Sequence, residues 1–163
     1  MKHRLAILFL LIAFVEGTAM AQDAKPGTAA RANNSIRRMN PPALAKPNGY
    51  THVVIATGSR TIYLSGQTAT DKDGNVVGKG DFRAQATQVF ENLKAALAAA
   101  GASFNDVVKL NYYVLDMGNA PILREVRSGY LGNAFPASTL VQVGKLAQPD
   151  YMLEIEAVAV TAK

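Results

Sequence analysis

The stretch that most constrains this 163-residue chain is Tyr-Met-Leu-Glu-Ile-Glu-Ala-Val-Ala-Val at residues 151–160. Side chains alternate faces along a strand, so Leu153, Ile155, Ala157 and Ala159 point one way and Met152, Glu154, Glu156, Val158 and Val160 the other. Both faces are largely apolar, which predicts a strand inside a sheet with cover on both sides. Yet one face carries two carboxylates that are costly to bury without partners. That conflict marks a site, a subunit interface, or both.

The other elements follow from local pattern. The run from Phe135 to Leu146 reads as the strand before the last one, and His52–Ala56 and Thr61–Ser65 read as a hairpin across Thr57-Gly58-Ser59-Arg60. Asp81 caps a helix in which Phe82, Ala86, Val89, Phe90, Leu93, Ala96, Leu97 and Ala100 recur at three- and four-residue spacing, and Gly101 stops it. Its stripe is one-sided, so the helix lies on a sheet with Arg83, Gln88, Glu91, Asn92 and Lys94 turned to water. Val107–Asp116 is a third strand. Asn119 and Pro121 open a second helix, with Ile122, Val126 and Tyr130 as its apolar line and Arg124, Glu125 and Arg127 flanking it. The expected class is α+β, a single sheet in the order β-β-α-β-α-β-β with both helices on one face. Two helices cover only one side of such a sheet, so the other side is expected to be buried by self-association.

The N-terminal third differs in character. Met1-Lys2-His3-Arg4 is basic, Leu5–Val15 carries no charge, and Ala19-Met20-Ala21 follows, the three-part pattern of a secretory signal peptide cleaved after Ala21. The segment is too short to span a bilayer, so a periplasmic or secreted protein with no membrane attachment after cleavage is expected. Residues 22–46 contain three prolines, with Pro47 just after them, and no period, and read as a flexible Pro-rich arm ahead of a domain at 47–163. Cleavage would lower the formal charge of +5 by one, and much of the remaining excess lies in that arm. A solvated tail explains it better than a nucleic-acid face. There are no cysteines, so an exported fold would rest on core packing rather than disulfides.

Pro136-Ala137-Ser138-Thr139, the apolar strand after it, the short connection through Leu146 and Pro149, and the closing Glu154-Ile155-Glu156-Ala157 together resemble the C-terminal signature of the Rid (reactive intermediate deaminase) family. Gly49-Tyr50, Ser65-Gly66-Gln67, the Ala-rich helix after Asp81 and the strand through Tyr113 and Asp116 fall in that family's order, so the likeness spans roughly residues 45–163. It implies a chorismate-mutase-like Rid fold, a homotrimer with clefts between subunits, and a small-molecule ligand held there without metal or cofactor. Glu154 maps onto the glutamate that orients water in deaminating members. Tyr50 would wall the cleft, and Ser65 and Gly66 would bring backbone close to the ligand. This chain departs from the pattern at Ser138, where deaminating members carry an arginine that grips the substrate carboxylate. A hydroxyl cannot reproduce two parallel charged hydrogen bonds, a loss on the order of 1.5–3 kcal/mol.

Several chemistries are excluded by inventory. His52 is the one histidine after the leader and cysteine is absent, which leaves little for Ser-His-Asp or Cys-His catalysis or for zinc. Asp71-Lys72-Asp73-Gly74-Asn75 has the look of a calcium loop but lacks its distal glutamate and reads as an Asp-Gly turn. A carboxylate beside apolar walls suits imine hydrolysis, because it can orient or activate water. Glu154 is the candidate, with a structural pairing to Lys145 or to an arginine of the next chain as the alternative. Ser138 and Thr139 offer hydroxyls to a ligand or are simply strand formers, and Arg124 or Arg127 would be the source of a replacement cation. Three functions compete: hydrolysis of small reactive imines or enamines (2-iminobutanoate or 2-iminopropanoate among them), a non-catalytic small-molecule-binding trimer, and an RNA-acting protein. The last lacks a basic stripe with interleaved aromatics, so no nucleic-acid partner is expected.

Overall fold

A computed structural model describes residues 35–162; the expected signal peptide and the first part of the arm lie outside them. Six strands and two helices run in the order β1 (Ser35–Met39), β2 (Val53–Thr57), β3 (Arg60–Gln67), α1 (Phe82–Ala99), β4 (Val107–Val114), α2 (Ala120–Leu131), β5 (Ala137–Gln142) and β6 (Leu153–Thr161). Four strands form one sheet in the order β3-β6-β4-β5, with β6 antiparallel to both neighbours and β4 parallel to β5. The expected α+β class holds, with the two helices packed together on the sheet.

Two expectations are corrected. Residues Ser35–Met39, assigned to a flexible arm, form a strand that pairs with β2 from Ser35↔Thr57 to Met39↔Val53. Nothing local announces it, because a short strand bearing two arginines is held by its partner rather than by propensity. The hairpin is also replaced. β2 ladders with β1 in a separate two-stranded sheet, and the turn after it is drawn instead toward the end of β6, where Ser59 N–H donates to Thr161 O at 3.0 Å.

The helices start and stop for local reasons. Asp81 accepts from Ala84 N–H at the start of α1, Gly101 follows its end at φ +68°, and Phe82, Ala86, Val89, Phe90, Leu93 and Leu97 are buried as the spacing required. Gln85 shares that buried face. Its amide donates to Asp150 O at 2.7 Å and accepts from Met152 N–H at 2.9 Å, which fixes the entry into β6. On α2 the buried line is Ala120, Leu123, Arg127 and Leu131, not Ile122, Val126 and Tyr130, which are half-buried against the core. Arg127 therefore points inward rather than flanking the helix.

The core lies between the helices and one sheet face, built from Leu64, Leu110, Tyr112, Val114, Leu153, Ile155, Ala157 and Ala159 below and the α1 and α2 stripes above. Cross-strand partners share a face, so Tyr63, Ser65, Asn111, Tyr113, Glu154, Glu156 and Val158 emerge on the opposite, helix-free face. Tyr63 there is 79% exposed.

Candidate functional site

Glu154 and Glu156 sit on the central strand of the sheet, and their surroundings separate them. Asn111 and Tyr113 on β4 stand opposite, and both donate to Glu156 Oε1, the amide at 2.6 Å and the phenol at 3.0 Å. The hydrogen bond to Glu156 pushes the Tyr113 hydroxyl above its usual range, helped by burial and by the nearby Glu156 and Glu154 charges. Glu154 accepts no hydrogen bond and forms no ion pair among the described residues. One carboxylate is thus committed to its neighbours, and the other is not.

What Glu154 lies against is a break in the sheet. Leu64 pairs with Ala157 and Gln67 with Ile155, so Ser65 and Gly66 together face the single residue Glu156. Such a bulge bends the strand and re-aims what lies beside it. The Glu154 side chain fills the space above Gly66: a Cβ there would overlap Oε1 and stand 2.7 Å from Cδ. Beside the two carboxylates a cavity of about 560 Å³ opens, lined also by Tyr113, Val143 and Lys145. Lys145 forms no ion pair with either glutamate among the described residues. The structure therefore gathers three of the candidate residues, Glu154, Ser65 and Gly66, at one place.

The other candidates lie elsewhere on the chain. Ser138 pairs in register with Leu110 and so belongs to the helix side of the sheet, opposite to Glu154. Thr139 is on the helix-free face at the sheet edge, where its Oγ1 accepts from Lys109 Nζ at 2.7 Å. Arg124 is half-buried on α2. Tyr50 stands edge-on to His52, with ring centroids 5.1 Å apart, in the segment that follows β1. The adjoining residue Thr51 ties this segment to the start of β5 through Thr51 N–H to Pro136 O at 3.0 Å and Thr51 Oγ1 to Phe135 O at 2.6 Å. His52 is a hydrogen-bonded residue before β2, its Nε2 2.8 Å from Ala45 O. Asp71 closes a turn by accepting from the Asn75 backbone and side-chain N–H groups and from Asp73 N–H, which holds its carboxyl below the usual range.

A second polar cluster went unread in the sequence. Arg127 is only 7% exposed, its Cζ lies 5.5 Å from the Phe135 ring centroid, and its guanidinium occupies the space beside Gly49, where a Cβ would overlap Nη2. Arg38 on β1 donates from Nε to the Phe135 carbonyl at 3.2 Å. Burial pushes the Tyr112 hydroxyl up to about 12, while the Arg127 charge beside it pulls the other way. A cation on a helix is normally read as solvated, and only the phase of α2, with Leu123 and Leu131 four residues to either side, reveals that Arg127 is not.

Known proteins with the same design bear on this arrangement. A RutC family protein of Pyrococcus horikoshii is 42% identical over 115 residues, covering 70% of this chain and 89% of that protein. A 2-iminobutanoate/2-iminopropanoate deaminase of Dermatophagoides farinae is 32% identical over 124 residues, covering 76% and 95%. Among solved structures, the Rid family protein YyfB of Yersinia pestis superposes with a TM-score of 0.72 at 35% identity, over 77% of this chain and 98% of that one. The family described as endoribonuclease L-PSP matches residues 41–161, reaching upstream of the expected boundary at residue 47, and with these relatives it shows that the chain belongs to the Rid (RutC/YjgF) family.

Proposed function

We propose that this protein hydrolyses small reactive imines or enamines, with Glu154 as the group that positions and deprotonates water. The observation that carries this reading is the division between the two carboxylates: Glu156 is held by Asn111 and Tyr113, whereas Glu154 faces a cavity over the Ser65–Gly66 bulge with no protein donor among the described residues. Water adding to the C=N carbon gives up a proton to the Glu154 carboxylate. Return of that proton to nitrogen gives a carbinolamine, and Glu154 then carries the hydroxyl proton to nitrogen as the C–N bond breaks, leaving ammonia and a carbonyl compound. The Dermatophagoides farinae relative is named as a deaminase of this substrate class.

The reading extends to assembly. Glu154 and Ser138 are on opposite faces of one sheet, and Tyr50 is held with Phe135 and Pro136 at the start of β5. A cleft containing all of them needs a second copy. The helix-free face, with Tyr63 79% exposed and Val141 39% exposed, is the surface we assign to that contact in a homotrimer. The basic, apolar and Ala-x-Ala segments at residues 1–21 support export to the periplasm or beyond.

The test is ammonia release from freshly generated imines, with and without a carboxylate, by the purified protein and its Glu154→Gln variant. Turnover that disappears with Glu154→Gln while the oligomer persists supports the proposal. Ligand binding without turnover in the wild type would replace it with the non-catalytic binding role.

A further inference from the structure

The cavity beside Glu154 holds negative charge that no described residue offsets. Glu154 and Glu156 both line it, half-buried on the helix-free face of β6. Tyr113 lines it too: it stands directly across the β4–β6 ladder from Glu154, and its hydroxyl reaches diagonally to Glu156 at 3.0 Å. Asn111 donates to the same Glu156 oxygen at 2.6 Å. Both donors are neutral, so they hold a carboxylate in place without cancelling its charge.

The basic residues that could offset it are engaged or solvated. Arg127 is buried on the helix side of the sheet, in contact with the Tyr112 hydroxyl and against Gly49 and Phe135. Lys109, on the helix-free face, donates to Thr139 at 2.7 Å. Lys145 is the one basic residue lining the cavity, and it is exposed and pairs with neither glutamate among the described residues. An ammonium in water is already well hydrated, whereas half-buried carboxylates gain most from an opposite charge brought beside them. An aromatic ring at the same place adds to the attraction for a cation. A ligand carboxylate would instead meet two like charges there.

We infer that the substrate taken here is a small cation without a carboxylate, the protonated imine of a simple amine, held by Glu154 with Glu156 and Tyr113 beside it. That the cation is an imine rests on the hydrolase reading above; that the cavity selects a cation rests on its charge and its walls. Neighbouring carboxylates favour the protonated form of the imine, whose carbon is the more open to water. Water adds to that carbon, the C=N electron pair moves to nitrogen, and a water proton passes to Glu154, which leaves a carbinolamine. Glu154 then protonates the nitrogen and the C–N bond breaks with its electrons on nitrogen. Ammonia, a carbonyl compound and the hydroxyl proton are released.

The experiment is calorimetric titration of the full-length protein with propanamidinium, a stable planar cation that carries the charged C–N group of a protonated imine. Propanamide is its neutral counterpart and 2-oxobutanoate the anionic one. Propanamidinium should bind about tenfold or more tighter than propanamide, the scale of one charge-assisted hydrogen bond, and 2-oxobutanoate should bind more weakly than propanamidinium. The preference for the cation should vanish in Glu154→Gln and shrink in Tyr113→Leu, with oligomer mass and melting temperature followed in both variants. Equal affinity for propanamidinium and propanamide overturns the inference, as does a preference that survives Glu154→Gln. Tighter binding of 2-oxobutanoate also overturns it, because a second copy would then be bringing a cation to the cavity. The two readings fail separately. Glu154-dependent selection of propanamidinium without ammonia release from any imine removes the hydrolase and leaves the cation site. Ammonia release from 2-iminobutanoate but not from butan-2-imine, its analogue with methyl in place of the carboxylate, keeps the hydrolase and removes the cationic substrate class.

Discussion

The side chain of Glu154 occupies the volume that a side chain at residue 66 would need, so a glycine on β3 and a glutamate on β6 form one unit. Gly66 is not in the left-handed backbone region, and what excludes larger residues there is space alone. Gly66→Ala is expected to keep the fold but turn the carboxylate aside. Ammonia release should fall by about 100-fold, the scale of a displaced general base, with circular dichroism unchanged.

Gly49 combines two demands, a φ of +74° and the Arg127 guanidinium where its Cβ would be. Gly49→Ala should destabilise the protein by roughly 1–3 kcal/mol from backbone strain, with further loss from the displaced arginine. Urea unfolding measures it, and a shift in midpoint without a change in slope is the expected form.

Burial raises the Tyr112 hydroxyl to about 12, so the folded state resists its ionisation. The stabilising difference is complete below the unfolded tyrosine pKa and is lost as pH rises from there to about 12, where the folded group ionises. A rise of that size corresponds to roughly 2–3 kcal/mol. Tyr112→Phe should therefore flatten the alkaline fall in stability, and near neutral pH it removes only the contact of the hydroxyl with Arg127. Thermal melts at a series of alkaline pH values compare the two proteins.

The Tyr113 hydroxyl is raised chiefly by its hydrogen bond to Glu156, and the Glu154 charge contributes least of the four causes. Glu156→Gln should thus bring its titration down further than Glu154→Gln does. Tyrosinate absorbance followed against pH reads the order directly, and a larger drop in Glu154→Gln would refute the division of roles between the two carboxylates.

Tyr63 stands 79% exposed on the helix-free face, across from Val158 on β6. If that face joins copies of the chain, Tyr63→Glu should shift the mass measured by light scattering toward the monomer while secondary structure persists. An unchanged mass would place the contact elsewhere.

Much of this architecture could be read from local chemistry, and the parts that could not share a cause. Asp81 and Gly101 bracket α1 because capping is a property of one or two residues, and β6 alternates because its own side chains do. Strand β1 escaped notice because what makes Ser35–Met39 a strand is a ladder to residues about twenty positions away. The burial of Arg127 escaped it because burial depends on which way α2 is rotated, and Ile122, Val126 and Tyr130 offered a competing apolar line. For the candidate site, Glu154, Ser65 and Gly66 come together through one register, that of β3 on β6. Tyr50, Arg124, Ser138 and Thr139 depend on how separate elements pack, and a single chain does not bring them to Glu154.

Strand β6 follows every other described element in the chain, yet it lies between β3 and β4. Until it arrives, β3 has no neighbour in the four-stranded sheet and α1 has only part of a surface to lie on. The nascent protein is consequently unable to close its core early and must do so in one late step, dominated by contacts distant in sequence, which is the slow regime of folding. A ribosome stalled before residue 153 would hold a chain with both helices and most of the sheet already synthesised, and no centre to assemble them on.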